Sequence, residues 1–255
     1  MKTIQSLIFF TFIIALSSCS SNDDIEAIPG SVTFNFTHSW QDLEIDTDEF
    51  NILQYETENG DSLLITRLRY LVSDFVFTHE SGTTLTIDDY QLIDVTNGEN
   101  LSFSTQDTIL PGTYSISFRF GLLDEKNQGA TYEDLIGVNF DVPPTLGGGY
   151  HYMQFDGEYL DENDDRQPFN YHAISAIDPL GVNEAADTSF EVELGAVVIG
   201  GNTTVNINMD VYEWFSNPNM WDLNELNVML MGNFEAQIDI NQNGASVFSL
   251  GTVTQ

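Results

Sequence analysis

Four histidines are the natural starting point for chemistry in this chain, and two of them flank one aromatic-rich segment. His151 lies in Gly149-Tyr150-His151-Tyr152-Met153, and His172 follows Tyr171 beyond the polar stretch from Leu160 to Pro168. If that stretch closes a hairpin centred between Asp161 and Glu162, the two histidines stand directly opposite each other in an antiparallel ladder. The β-carbons of such a pair lie about 4.5–5.5 Å apart, close enough for two imidazoles to share one cation. A slip of one residue separates them. His38 closes the alternating segment that begins at Val32, with Trp40 two residues beyond it, whereas His79 leads into Glu80-Ser81-Gly82 and reads as an exposed turn residue. Imidazole suits copper, zinc, iron or nickel, and a soft thioether such as Met153 tilts the choice toward Cu(I). The candidate metal ligands are therefore His38, His151 and His172, with Trp40 and Met153 as peripheral ones. The same histidines also read as ordinary strand or surface residues, and the interleaved Tyr150, Tyr152, Phe155, Tyr159 and Tyr171 equally well form a core.

Other chemistries find little support. Asp161-Glu162-Asn163-Asp164-Asp165 imitates the start of an EF-hand loop, but Arg166 stands where the loop needs Gly and His172 where it needs Glu. There is no Gly-x-Ser-x-Gly elbow, phosphate loop or His-Glu-x-x-His. Leu146-Gly147-Gly148-Gly149 lacks the strand-to-helix context of a phosphate cradle and reads instead as a sharp backbone turn. No nucleophile and base stand together, so a non-catalytic role is expected.

The elements that must position these residues are strands. Val32, Phe34 and Phe36 alternate with Thr33, Asn35 and Thr37, and Val205, Ile207, Met209 and Val211 alternate with Asn206, Asn208 and Asp210. Further strands are expected at 63–71, 73–78, 84–87, 90–95, 113–121, 150–157, 169–176, 190–198, 233–240 and 244–250. Turn signals such as Asn59-Gly60, Ser81-Gly82, Asn97-Gly98, Pro111-Gly112 and Asn243-Gly244 separate them. Such spacing predicts an all-β antiparallel β-sandwich of Ig-like or Greek-key type, with short helices at 132–136 and 212–221.

The N-terminus predicts export. Lys2, an apolar stretch from Ile4 to Leu16 and small residues before Cys19 form a secretory signal over residues 1–18. The apolar stretch is too short for a permanent span. Leu16-Ser17-Ser18-Cys19 resembles the lipobox of bacterial lipoproteins, making the sole cysteine the lipidated first residue of the mature chain. Residues 19–30 read as an acidic tether and 31–255 as a single domain. With its one thiol committed to lipid, the chain must be held by a core rather than by disulfides. Forty acidic residues against six basic ones make nucleic acid and anionic membrane surfaces poor partners, through the long-range field.

The order of several segments resembles the MbnP-like family, the methanobactin-partner proteins and their copper-binding relatives, many of them bacterial lipoproteins. The segments are Phe34-Asn35-Phe36-Thr37-His38, the run Tyr55 to Asp61, Leu68-Arg69-Tyr70-Leu71-Val72-Ser73-Asp74-Phe75, Pro111-Gly112-Thr113-Tyr114 leading into Phe118-Arg119-Phe120-Gly121, Gly149 to Met153 with Phe155 and Gly157, and Tyr171-His172. The resemblance implies a β-sandwich, copper held by histidines, in some relatives a tryptophan oxidised to kynurenine, and a di-haem cytochrome c peroxidase-like partner for that oxidation. It places His38 and His172 at recurrent histidines and His151 in the tyrosine-rich strand, and His38-Ser39-Trp40 is similar to a histidine-x-kynurenine spacing. The family's glycine-methionine-x-tryptophan stretch is replaced here by Thr145-Leu146-Gly147-Gly148-Gly149. The expected protein is a copper-binding lipoprotein anchored to a bacterial membrane, most simply the outer one and facing the periplasm or the cell surface. The competing expectation is a metal-free module binding glycan or protein through Trp214 and Trp221.

Overall fold

The computed structural model describes residues 28–255. Cys19 and the predicted signal lie outside the described residues, and no helix among the described residues is long and apolar enough to cross a membrane. The strands are β1 (Val32–Trp40), β2 (Leu43–Glu44), β3 (Tyr55–Glu56), β4 (Ser62–His79), β5 (Thr84–Asp94), β6 (Ser102–Ser104), β7 (Gly112–Phe120), β8 (Met153–Leu160), β9 (Arg166–Ala173), β10 (Phe190–Ile199), β11 (Thr203–Asp210) and β12 (Phe248–Thr254), with helices α1 (Glu133–Gly137) and α2 (Phe234–Asn243). They form two facing sheets, the all-β sandwich that the alternation predicted. The smaller runs β12-β11-β1-β2 with β6 on β1, and the larger β10-β7-β4-β8-β9 with β3 and β5 on β4. One pairing departs from the antiparallel rule, since β1 and β11 run parallel, Val32 beside Thr203 through Ser39 beside Asp210.

Alternation explains the core. Val32, Phe34, Phe36, His38 and Trp40 of β1 point inward, and they meet Leu68, Tyr70, Phe75 and Phe77 of β4 with Phe118 and Phe120 of β7. Phe34 packs on Phe75 at 4.4 Å and Phe36 meets Phe118 edge-on at 5.8 Å. The two strands expected at 63–71 and 73–78 merge into β4, in which Asp74 adopts a left-handed conformation (φ 52°) as a bulge that shifts the register with both neighbouring strands. The segments 84–87 and 90–95 likewise join as β5.

Two expectations fail. The segment 233–240 is helical: Asn233 accepts from the Ala236 amide at 3.2 Å as an N-cap, and burial falls on Ala236, Gln237, Ile240 and Asn243, a helical spacing. Its short apolar alternation was a coincidence of a two-residue period with a helix too brief to show its own. Trp214 and Trp221 are buried at 0% and 2% exposure, so neither offers a surface platform for a ligand.

A second, small core lies on the outer face of the larger sheet. Leu71 meets Leu122, Leu135, Phe140 and Tyr150 there, carried by the excursion between β7 and β8 that includes α1. That excursion covers the sheet where the histidines of interest converge.

Candidate metal centre

Along β8 and β9, Met153, Phe155, Phe169, Tyr171 and Ala173 face the inter-sheet core, which leaves Gln154, Asp156, Asn170 and His172 on the outer face. Arg67 and Arg69 of β4 stand beside Asp156 and Gln154 on that same face. The covering segment closes over them through Arg69, whose guanidinium donates to the Val138 carbonyl at 2.9 Å and lies 5.3 Å from the Phe140 ring centre.

His151 and His172 meet in this covered layer, but not as the spacing implied. In the ladder His172 opposes Gln154, and β8 begins only at Met153. His151 belongs to the arriving segment, where its amide bonds to the Phe140 carbonyl and Tyr150 bridges Asp141. The segment's approach brings the rings together edge to face, centroids 5.1 Å apart. Gly147, Gly148 and Gly149 all adopt left-handed conformations, φ 100°, 72° and 75°, a succession that L side chains do not tolerate. The glycine run is therefore what lets the chain turn under and deliver His151.

Each ring is fixed by one nitrogen and leaves the other free. His151 Nδ1 lies 3.0 Å from the Phe140 carbonyl, which can only accept, and 3.3 Å from Gln154 Nε2, which can only donate; the shorter contact places the proton on Nδ1, and Gln154 Nε2 has the Asn139 carbonyl as its own acceptor. His172 Nε2 lies 2.8 Å from an Asp156 carboxylate oxygen and donates to it. Asp156 is itself held by Arg67 and by Asn170. The remaining atoms, His151 Nε2 and His172 Nδ1, are two of three buried side-chain polar atoms without a hydrogen-bond partner among the described residues. Burying an unpaired polar nitrogen is costly, and these two belong to rings that touch, so the chemistry of the pair fits a cation that takes imidazole donors. Burial first, then the neighbouring His172, pushes His151 down to about 3, so its ring stays neutral. Hydrogen bonds from His172, Asn170 and Arg67 outweigh burial and hold Asp156 down at about 2.

The other sequence candidates lie elsewhere. His38 points into the inter-sheet core, where its Nε2 is 2.9 Å from the Tyr70 hydroxyl and burial lowers its pKa to about 3. Met153 faces that same core, paired with Tyr70 across the β4–β8 ladder. Trp40 packs on Tyr55 at 5.0 Å and donates from Nε1 to the Glu56 carbonyl. The larger sheet thus separates His38 and Met153 from the pair, and no group of three or more His, Cys, Asp or Glu side chains suited to a metal occurs among the described residues. His79 bonds Ser81 in its turn. Asp161 spends one carboxylate oxygen on the amides of Asn163 and Asp165, closing its own hairpin loop. Asp156 and the Phe140 carbonyl, which orient the two rings, are not marked in the sequence. One carboxylate among forty carries no signal, and a backbone carbonyl carries none at all.

Two packed sheets with a buried histidine pair under a covering segment define the class: a β-sandwich that carries two adjoining imidazoles on the outer face of its larger sheet, each with one nitrogen unpaired. The MbnP family matches residues 29–232, well over half of the chain, and the chain belongs to that family. Its fold is similar to that of MbnP from Methylosinus trichosporium, with a TM-score of 0.54, 13% identity, and 88% of this chain and 98% of that one covered. No curated protein sequence matches.

Proposed function

We propose that this is an extracytoplasmic copper-binding lipoprotein, with His151 Nε2 and His172 Nδ1 as its copper ligands and Cys19 as its lipid anchor. The observation that carries the ligand assignment is the pair of orphaned nitrogens on rings already oriented by Phe140 and Asp156. Membership of the MbnP family supports copper over other cations. Soft two-nitrogen sites suit Cu(I), whereas zinc ordinarily takes four donors. Bound there, copper is stored or passed on rather than used to activate a substrate. The residues of the chain supply imidazole donors, exclude water and hold both ring orientations in advance, which lowers the ordering cost of binding.

The lipidated protein, titrated with Cu(I) against a competing chelator and separately with Zn(II), tests this. One tightly held Cu(I) per chain with weak Zn(II) binding is the expected result; equal or tighter zinc, or no metal, counts against it. Replacement Cys19→Ala tests the anchor, and retention of that variant in the membrane fraction would refute it.

A further inference from the structure

The two ends of the sandwich differ sharply in charge. At one end β1 and β11 finish and β4 and β9 begin, and residues 41–61, 158–166 and 210–225 carry seventeen acidic side chains against Arg166 alone. At the other end, residues 28–36, 79–85, 105–116, 194–206 and 250–255 contribute only Glu80 and Asp107 as acidic side chains.

The acid-poor end is also where apolar side chains reach solvent. Ile28, Leu110 and Val198 are exposed at 72%, 63% and 58%. They are neighbours through the backbone: Gly30 bridges Ile109, Gly201 approaches the Ile28 carbonyl, and Val198 pairs with Thr113 of β7. A groove of about 550 Å³ opens beside them, lined by Leu85, Ile109, Leu110, Pro111 and Tyr114 among others.

From this polarity we infer that the acid-poor end is a membrane-contacting surface, on which Ile28, Leu110 and Val198 rest against the phospholipid headgroup layer while the acidic pole is held away from it. The inference rests on the proposed anchor at Cys19. Eight residues separate Cys19 from Ile28, and the nine steps of chain between them reach about 30 Å when fully extended. The 18-residue β4 alone is roughly 60 Å long, so the far pole stands beyond the tether's reach unless the domain lies flat. Lying flat brings acidic loops within about a Debye length, 8–10 Å, of anionic headgroups, and that repulsion selects the upright orientation. The exposed aliphatic tips add apolar contact at the interface without any span.

The experiment uses the full-length lipidated protein in vesicles of phosphatidylethanolamine and phosphatidylglycerol that contain a headgroup spin-labelled lipid. Single replacements Leu110→Cys, Val198→Cys and Glu162→Cys each carry a thiol-linked fluorophore. Quenching several-fold stronger at positions 110 and 198 than at 162 is expected. Equal quenching at the three sites, or the reverse order, in protein that floats with the vesicles overturns the orientation and leaves the anchor standing. Protein that fails to float with Cys19 intact overturns both.

Discussion

His151 and His172 touch edge to face with ring centroids 5.1 Å apart, although the ladder pairs His172 with Gln154 and leaves His151 outside the strand. Their contact is made by a covering segment rather than by strand register, so the site depends on how that segment is held.

Asp156 is the first support to remove. Its carboxylate accepts from His172 Nε2 and leaves Nδ1 free for a cation. In Asp156→Asn the amide offers a weaker acceptor, and Arg67 loses its ionic partner. Such a change costs about 10–100-fold in metal affinity, read as a weaker Kd in the Cu(I) competition titration with the stoichiometry kept.

The glycine run is the second support. A β-carbon at position 149 would fall 2.6 Å from the Asn127 carbonyl, in a backbone conformation of φ 75°. The left-handed backbone alone costs roughly 1–2 kcal/mol for an L residue, and relieving the clash moves the segment that carries His151. Gly149→Ala should lower the thermal midpoint and weaken copper binding together. The exposed turn variant Gly82→Ala, with open space around its β-carbon, changes stability modestly and leaves copper binding at the wild-type value.

Acid should destabilise the apoprotein through its neutral histidines. His38 and His151 sit near pH 3 when folded, lowered from 6.5 by burial, so between those values the unfolded chain takes up protons that the folded chain refuses. Their contribution is complete above about pH 6.5 and is lost as the pH falls toward 3, at up to roughly 1.4 kcal/mol per pH unit for each group. Denaturant titrations across that window give the slope, and His38→Gln should make it shallower. For the same reason protons compete little at His151, and its share of the copper affinity should hold as the pH falls from about 7 to 5.

The sandwich was legible because half-buried strands write their burial as alternation, as in Val32 to Trp40 and Thr203 to Asp210. The histidine pair was legible as a pair, since both residues lie in the same aromatic block. Its geometry was not legible: the hairpin is centred on Asn163, one and a half residues beyond the centre between Asp161 and Glu162 that direct pairing requires, and contact is made instead by a turn of three left-handed glycines. His38 was grouped with the pair because a sequence does not show which side of a sheet a histidine faces. Helix α2 was hidden behind a short alternation that its Asn233 cap overrides.

The most direct measurement is Cu(I) competition titration of His151→Ala, His172→Ala and His38→Ala beside the wild type. The two site variants should each lose tight copper while staying folded. His38→Ala, which leaves the Tyr70 hydroxyl unpaired in the core, should lose about 2–4 kcal/mol of stability and still bind one copper with wild-type affinity. Tight copper retained in both His151→Ala and His172→Ala, or lost only in a well-folded His38→Ala, would contradict the account.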